Sequence, residues 1–193
     1  SDLPKASITS SNIDLGNATG DAASAFLKTL APDRKVKIAT VAFKSLLPEQ
    51  SDDRVNGFLD KVKDQVEVVA AQDAWLAEKA VAVASDILTA NPDIELIYAA
   101  NEGGTIGAAQ AVKKAGLEGK VFVFGIDGTE QLANMLLDPD NVLQAVTAQQ
   151  PFEVGRLALE AANAVLDGKG VEANQSVAVL PLTRGNPDGV KAF

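Results

Sequence analysis

Apolar residues recur along the chain with two alternating periods. Short runs that are apolar at most positions predict β-strands, and longer runs with apolar residues at helical spacing predict α-helices. In SDDRVNGFLDKVK, for example, Val55, Phe58, Leu59 and Val62 fall on one helical face. The predicted strands are 6–12, 35–43, 66–72, 94–101, 120–127, 142–149 and 176–183. The predicted helices are 16–31, 51–63, 75–91, 104–116, 130–138 and 152–170.

Strands and helices therefore alternate along the whole chain. Parallel strands joined by helices form sheets that are covered on both faces, and such strands are apolar almost throughout. The order predicts an α/β fold with a doubly wound parallel sheet. Ligands of such sheets bind at the carboxyl ends of the strands, so the residues at those ends are the candidates for a site.

The composition excludes several kinds of partner and of catalytic mechanism. The 193 residues carry a net charge of −9 and include neither histidine nor cysteine. Nucleic acid is not expected as a partner, because phosphate binding needs clustered Lys and Arg. Ser-His-Asp and Cys-His catalysis are impossible, and zinc fingers and disulfides are excluded. No calcium-loop spacing occurs, and we expect neither a metal nor a cofactor.

Polar or aromatic side chains follow each of the central predicted strands. A site for a polyol needs such a set, since carboxylates and amides bond hydroxyl groups and an indole face packs on the C–H face of a sugar ring. The candidate ligand-binding residues are Arg54, Trp75, Asn101, Asp127 and Gln149.

Three glycines after the strand 94–101 could be taken for a phosphate-binding loop. Gly103, Gly104 and Gly107 do not match G-x-G-x-x-G, and no G-x-x-x-x-G-K-[ST] occurs in the chain. We expect them to let a helix begin close to its strand and to leave room for a ligand beside Asn101.

Each candidate also has a purely structural explanation. Asn101 is suited to cap the helix that follows it, and Asp127 begins a D-x-x-E capping box. Trp75 is suited to pack at a helix start, and Gln149 to end a strand ahead of a proline at N1.

Arg54 is harder to explain structurally. It is predicted to lie in the first turn of a helix, where the helix dipole disfavours a cation by roughly 0.3–1 kcal/mol. Asp52 and Asp53 precede it and could neutralise it. A ligand contact explains its position better.

The combination of motifs resembles the periplasmic sugar-binding proteins of ABC transporters, of the ribose-binding type. The resemblance extends from about residue 7 to about residue 183. It is carried by Arg-x-x-Gly-Phe at 54–58, Asn101, Gly-x-Asp-Gly at 125–128 and Ala-Gln-x-Pro at 148–151.

The resemblance implies a type I periplasmic-binding-protein fold with two lobes, three crossovers and a ligand in the cleft between the lobes. Arg54 would bond sugar oxygens bidentately, and Trp75 would stack on the sugar where ribose-binding proteins have phenylalanine. Asn101, Asp127 and Gln149 would bond hydroxyl groups. The implied protein is not an enzyme: it binds a monosaccharide or related polyol and delivers it to a membrane permease. It is periplasmic, or extracytoplasmic and anchored as a lipoprotein.

The chain departs from that family because the first half of the N-lobe is missing. The resemblance then divides it into an N-lobe remnant, 1–11 and 150–178, and a C-lobe that carries the ligand-binding edge, 12–149 and 179–193. The apolar stripe of the helix 152–167 would lack the sheet that covers it in the family. We therefore expect a fragment of a longer protein, which a natural gene product with the mass of these 193 residues would contradict.

Two other functions remain open at this point. The effector domain of a LacI-type repressor has the same core fold, although a DNA-binding segment is not visible in the chain. An enzyme on this sheet would need two close carboxylates, and only Asp127 clearly lies at the edge.

Overall fold

The chain folds around a six-stranded sheet, in agreement with the predicted α/β class. The computed structural model describes residues 4–193; residues 1–3 of the predicted N-lobe remnant lie outside it. The strands are β1 (Ser7–Thr9), β2 (Val36–Ala42), β3 (Val66–Asp73), β4 (Leu96–Ala99), β5 (Phe122–Ile126), β6 (Leu143–Ala148), β7 (Asn174–Ser176) and β8 (Leu180–Thr183). The helices are α1 (Asn12–Leu30), α2 (Pro48–Val62), α3 (Ala77–Ala90), α4 (Glu102–Lys114), α5 (Glu130–Leu137), α6 (Pro151–Leu166) and α7 (Pro187–Ala192).

The large sheet has the strand order β3-β2-β4-β5-β6-β8. Its first five strands are parallel, and β8 runs antiparallel to β6 at the edge. The order reverses beside β2, because the chain passes from β2 outward to β3 and then back to β4. The carboxyl ends of β2, β4, β5 and β6 consequently meet at one edge, which is where ligands bind in such sheets.

Both faces of the sheet are covered, as the nearly continuous apolar strands require. On one face α1 and α2 bury Leu15, Phe58, Tyr98 and Phe124. On the other face α3, α4 and α5 bury a second cluster that includes Ala80, Val112 and Leu132. The central strands β4, β5 and β6 are buried along their whole length.

Helices α1 and α2 touch through their backbones. A Cβ atom on Gly16 would overlap the Arg54 carbonyl and lie 2.9 Å from the Phe58 nitrogen. A Cβ atom on Gly57 would lie 2.5 Å from the Ile13 carbonyl. Only glycine at these two positions allows the helices to pack so closely, and this contact holds Arg54 beside the first turn of α1.

A second, small sheet lies apart from the large one. It consists of β1 and β7 in parallel, and α6 packs against β1. Every residue of α6 is exposed or half-buried, and Phe152 and Leu166 are 85% and 84% exposed. The predicted apolar stripe is half-buried at Val154, Leu157 and Ala161 and exposed at Ala158 and Val165, so it is less exposed than Phe152 and Leu166.

The predicted strand 176–183 is wrong as a single element. Residues Asn174–Ser176 pair with β1, and Leu180–Thr183 pair with β6 in the opposite direction. The run SVAVLPLT is apolar enough for one strand, but residues 177–179 carry the chain from one sheet to the other. The antiparallel direction of β8 and the short helix α7 were not predicted.

Within residues 4–193, every helix is too short or too polar to cross a membrane.

The contact between α1 and α2 leads to a stability prediction. Gly16→Ala is expected to lower the free energy of unfolding by about 1–3 kcal/mol, because the added methyl group overlaps backbone atoms that cannot rotate away. Gly155→Ala in the exposed helix α6 is the matched control, since its Cβ has open space and alanine favours a helix by up to about 1 kcal/mol. Denaturant unfolding followed by circular dichroism measures both, and equal effects would contradict the packing role of Gly16.

Candidate functional site

Arg54 is a buried cation at the carboxyl edge of the sheet. It lies in the second turn of α2, since the helix begins at Pro48, and not in the first turn as predicted. Its side chain extends to the ends of the strands and is only 7% exposed. A charge at this depth needs partners for its N–H groups.

Two hydrogen-bond acceptors, one carboxylate and one aromatic ring surround the guanidinium. Arg54 Nε donates to Asn12 Oδ1 at 2.9 Å, and Nη1 donates to the Ala100 carbonyl at 2.9 Å. The Asp127 carboxylate lies 3.7 Å from Nη1, and the guanidinium carbon lies 5.1 Å from the centre of the Phe43 ring. Within residues 4–193, Nη2 makes no hydrogen bond, so the guanidinium keeps donors available for a further group.

Asp127 links the ends of β4, β5 and β6. It follows β5 with a φ of 77°, a left-handed conformation that Asp and Asn adopt more readily than most residues. Its Oδ2 accepts the Glu102 N–H at 3.1 Å, at the start of α4. Its Oδ1 accepts Gln149 Nε2 at 2.9 Å, just beyond β6. A carboxylate has about four acceptor positions, so each oxygen can accept another donor.

The capping-box explanation for Asp127 is wrong. Helix α5 is capped by Thr129, whose hydroxyl accepts the Leu132 N–H. The carboxylate of Asp127 is directed to α4, Arg54 and Gln149 instead. The Asp127 carboxylate therefore connects residues at the carboxyl edge of the sheet and does not cap α5.

Gln149 has unused hydrogen-bonding capacity. Nε2 donates to Asp127, while Oε1 makes no hydrogen bond within the part of the chain that the structure describes. Pro151 begins α6 as expected, with Gln150 at the N-cap. The amide of Gln149 is thus fixed through one nitrogen and offers an acceptor beside the carboxylate.

Asn101 performs the capping role that was considered for it. Its Oδ1 accepts the Gly104 N–H at 3.2 Å at the start of α4, and its Nδ2 donates to the Trp75 carbonyl at 2.9 Å. The side chain thereby joins the start of α4 to the loop before α3. Among the residues that the structure describes, the second N–H of Nδ2 has no hydrogen-bond partner.

Trp75 lies in the loop between β3 and α3. The helix begins two residues later, at Ala77, and the indole is half-buried against the core on the α1–α2 side of the sheet. Trp75 is therefore an aromatic side chain at the carboxyl edge of the sheet. Its position is fixed by the hydrogen bond from Asn101 Nδ2 to the Trp75 carbonyl.

The glycines after β4 serve helix packing, which corrects the expectation that they leave room for a ligand. A Cβ on Gly103 would overlap the Trp75 carbonyl, and one on Gly107 would lie 2.5 Å from the Ala80 Cβ. The space that the missing side chains leave is filled by the start of α3.

Three residues of the site were not predicted. Asn12 and Phe43 contact the Arg54 guanidinium, and the Tyr98 hydroxyl donates to the Arg54 carbonyl at 3.0 Å. Phe43 directly follows β2 in the sequence, so the rule that selected the other strand ends could have found it. Nothing in the sequence pairs Asn12 or Tyr98 with a residue about 40 positions away.

A pocket of about 410 Å³ lies between the large-sheet edge and the small sheet. Its lining includes Asp127, Gly128 and Gln149 on one side and Thr9, Ser10 and Val154 on the other. Two of the five predicted site residues therefore face an open space. Among residues 4–193, no group of three or more acidic side chains is placed to hold a metal ion.

The comparison with protein families identifies the chain. Residues 1–170 match the periplasmic binding protein domain family. The chain belongs to this family, which confirms the resemblance and the fold class.

Curated relatives are binding proteins of sugar import systems. The chain is 37% identical over 134 residues to the D-allose-binding periplasmic protein of Escherichia coli (strain K12), covering 68% of this chain and 40% of that protein. It is 33% identical over 156 residues to the ribose import binding protein of Bacillus subtilis (strain 168), covering 79% and 48%. The chain thus spans about half the length of the curated relatives it matches.

A solved structure shows the same architecture. The periplasmic solute-binding protein of an ABC transporter from Actinobacillus succinogenes 130z, with bound D-allose, superposes with a TM-score of 0.85 at 26% identity. The match covers 96% of this chain and 62% of that one.

The pKa of Tyr98 leads to a prediction about alkaline stability. Tyr98 is the only tyrosine, and burial raises the pKa of its phenol above the ordinary value of 10.0. The folded chain therefore keeps a proton that the unfolded chain loses above about pH 10, so the free energy of unfolding falls as pH rises, by up to about 1.4 kcal/mol per pH unit.

Tyrosinate absorbance is therefore expected to appear only together with unfolding. Tyr98→Phe is the control: it loses about 1 kcal/mol at neutral pH with the hydrogen bond to Arg54 and should lack this part of the alkaline slope. Tyrosinate formation near pH 10 in the folded chain would contradict the prediction.

Proposed function

We propose that the carboxyl edge of the large sheet binds a monosaccharide or a related polyol, as part of the solute-binding component of an ABC importer. The observation that carries the proposal is the linked set Arg54, Asp127, Gln149 and Asn101, with the Trp75 indole beside it. Asp127 contacts both Arg54 and Gln149, while Asn101 is held by the Trp75 carbonyl and the Gly104 N–H. Within residues 4–193 each of these side chains keeps a hydrogen-bonding position without a partner. The sugar-import relatives support the same assignment.

The proposed recognition follows from the chemistry of hydroxyl groups. The Asp127 carboxylate accepts hydrogen bonds from ligand hydroxyls, and the Arg54 Nη2 donates to a ring or hydroxyl oxygen. Gln149 Oε1 and the remaining N–H of Asn101 supply an acceptor and a donor. The indole covers the apolar C–H face of the sugar. A ligand that lacked a hydroxyl would leave one of these half-buried groups unpaired, which makes the site selective.

The ligand is proposed to lie between two lobes that close about the crossovers near 10–12, 148–150 and 176–180. The N-lobe part comprises 1–11 and 150–178, and the C-lobe comprises 12–149 and 179–193. Two sheets with separate strands support this division. A hydrogen bond of 2.8 Å from Gln150 Nε2 to the Ala178 carbonyl joins two of the crossovers. Ligand binding shifts an open–closed equilibrium toward the closed form.

The closed form is proposed to present its ligand to a membrane permease. The protein is then periplasmic, or extracytoplasmic with a lipoprotein anchor, and it is not an enzyme. The words periplasmic and import in the names of the two curated relatives support this role. The same relatives favour transport over a LacI-type effector domain.

Fluorescence of Trp75, the only tryptophan, tests the proposal. The 193-residue chain and the natural gene product are titrated with D-allose, D-ribose, D-fructose and sugar alcohols. A saturable change with one sugar is expected. Asp127→Asn should weaken it by at least about tenfold, because a charged acceptor is lost while a residue that tolerates positive φ remains.

Asp60→Asn is the matched control, since Asp60 is exposed on α2 and its carboxylate pairs with Lys63 at 3.9 Å instead of with the linked set. It should leave affinity unchanged. The proposal fails if neither protein responds to any sugar, or if both substitutions have the same effect.

A further inference from the structure

The orientation of the Arg54 guanidinium depends on a residue outside the predicted site. Nη1 is held by the Ala100 carbonyl at the end of β4, and Nε is held by Asn12 Oδ1, each at 2.9 Å. A planar guanidinium that is fixed through two of its three nitrogens cannot rotate, so the direction of Nη2 is determined as well. The Nε contact is the only one of the two that a side chain provides.

Within residues 4–193, the Asn12 side chain makes no hydrogen bond other than the one to Arg54. It is the first residue of α1, and Ser11 before it is the N-cap, whose hydroxyl accepts the Asp14 N–H at 3.2 Å. The amide of Asn12 is therefore free to bond across to α2. Residues 10–11, between β1 and α1, connect the small sheet to the large one, so Asn12 lies where the chain leaves this crossover.

The packing of α1 on α2 fixes the distance between Asn12 and Arg54. Gly16 lies against the Arg54 carbonyl, and Gly57 lies against the Ile13 carbonyl next to Asn12. A larger residue at either glycine would separate the first turn of α1 from α2. The glycine contacts and the hydrogen bond from Arg54 to Asn12 thus join the same part of α2 to the start of α1.

We propose that Asn12 is a positioning residue for ligand binding, which holds the Arg54 guanidinium so that Nη2 faces the ligand. The proposal rests on the proposed sugar-binding function. Asn12 directly follows residues 10–11, which connect the small sheet to α1. The orientation of the Arg54 guanidinium therefore depends on the position of the first residue of α1.

The first test needs no ligand. The Arg54 Nε–H gives a ¹⁵N NMR resonance that is assigned with the Arg54→Lys variant. Asn12→Ala should speed its exchange with water by about tenfold or more, because the acceptor is lost. Asn12→Asp keeps an oxygen at the same position and should retain the protection. Equal protection in the wild type and in Asn12→Ala would overturn the proposal.

The second test measures sugar affinity with the sugar that gives the fluorescence response. Asn12→Ala should weaken binding about tenfold, and Asn12→Asp should restore most of it. In an Arg54→Met background, Asn12→Ala should change affinity by less than about twofold, since no guanidinium remains to be oriented. Additive losses in this double-mutant cycle would show that Asn12 acts independently of Arg54 and would overturn the proposal.

Denaturant unfolding of each variant separates these effects from loss of the fold. If Asn12 had only a structural role, Asn12→Ala would lower the free energy of unfolding, and its effect on sugar affinity would add to that of Arg54→Met. That result would contradict the proposal. Absence of sugar binding in the wild type would refute the proposed function, while the Nε–H exchange would still decide whether Asn12 holds Arg54.

Discussion

A positive charge buried at the end of the sheet determines the arrangement of the residues around it. Arg54 has little access to water, and a buried cation is tolerated only when its N–H groups and its charge are matched. One carbonyl from the end of β4, one amide from α1 and one carboxylate from the end of β5 provide this match. Removing any of them leaves a buried polar group without a partner, so these elements have to keep their relative positions.

The sheet and the helices make this arrangement possible. The parallel pairing of β4 with β5 brings Ala100 and Asp127 to the same edge. The glycine contact between α1 and α2 brings Asn12 within reach of the guanidinium. Phe58 and Tyr98 stack beneath Arg54 with ring centres 3.9 Å apart, and the Tyr98 hydroxyl bonds the Arg54 carbonyl. The apolar core therefore supports the polar edge directly.

Local periodicity predicted most of the fold, because strands buried on both faces and helices with one buried face leave clear patterns. It failed where two adjacent short segments belong to different sheets, since SVAVLPLT carries no mark of the change at residues 177–179. The strand-end rule selected Asn101, Asp127 and Gln149, which the structure places at the carboxyl edge of the sheet. It could not find Asn12, because that contact depends on how closely α1 approaches α2. It also could not reveal that Asp127 has a positive φ, or that Gly103 and Gly107 lie against the Trp75 carbonyl and α3.

The hydrogen bonds among the site residues bear on how such a site gains affinity. Asp127, Gln149 and Asn101 are already held by partners in the protein, so ordering them for a ligand costs little conformational entropy. In the proposed binding mode, their remaining acceptors and donors replace water around a polyol, which predicts modest affinity and strong dependence on the positions of the hydroxyl groups. High affinity then requires burial from the opposite side of the pocket, where Thr9, Ser10 and Val154 lie. In the proposed binding mode, the edge of the large sheet selects the ligand and closure over it increases the affinity.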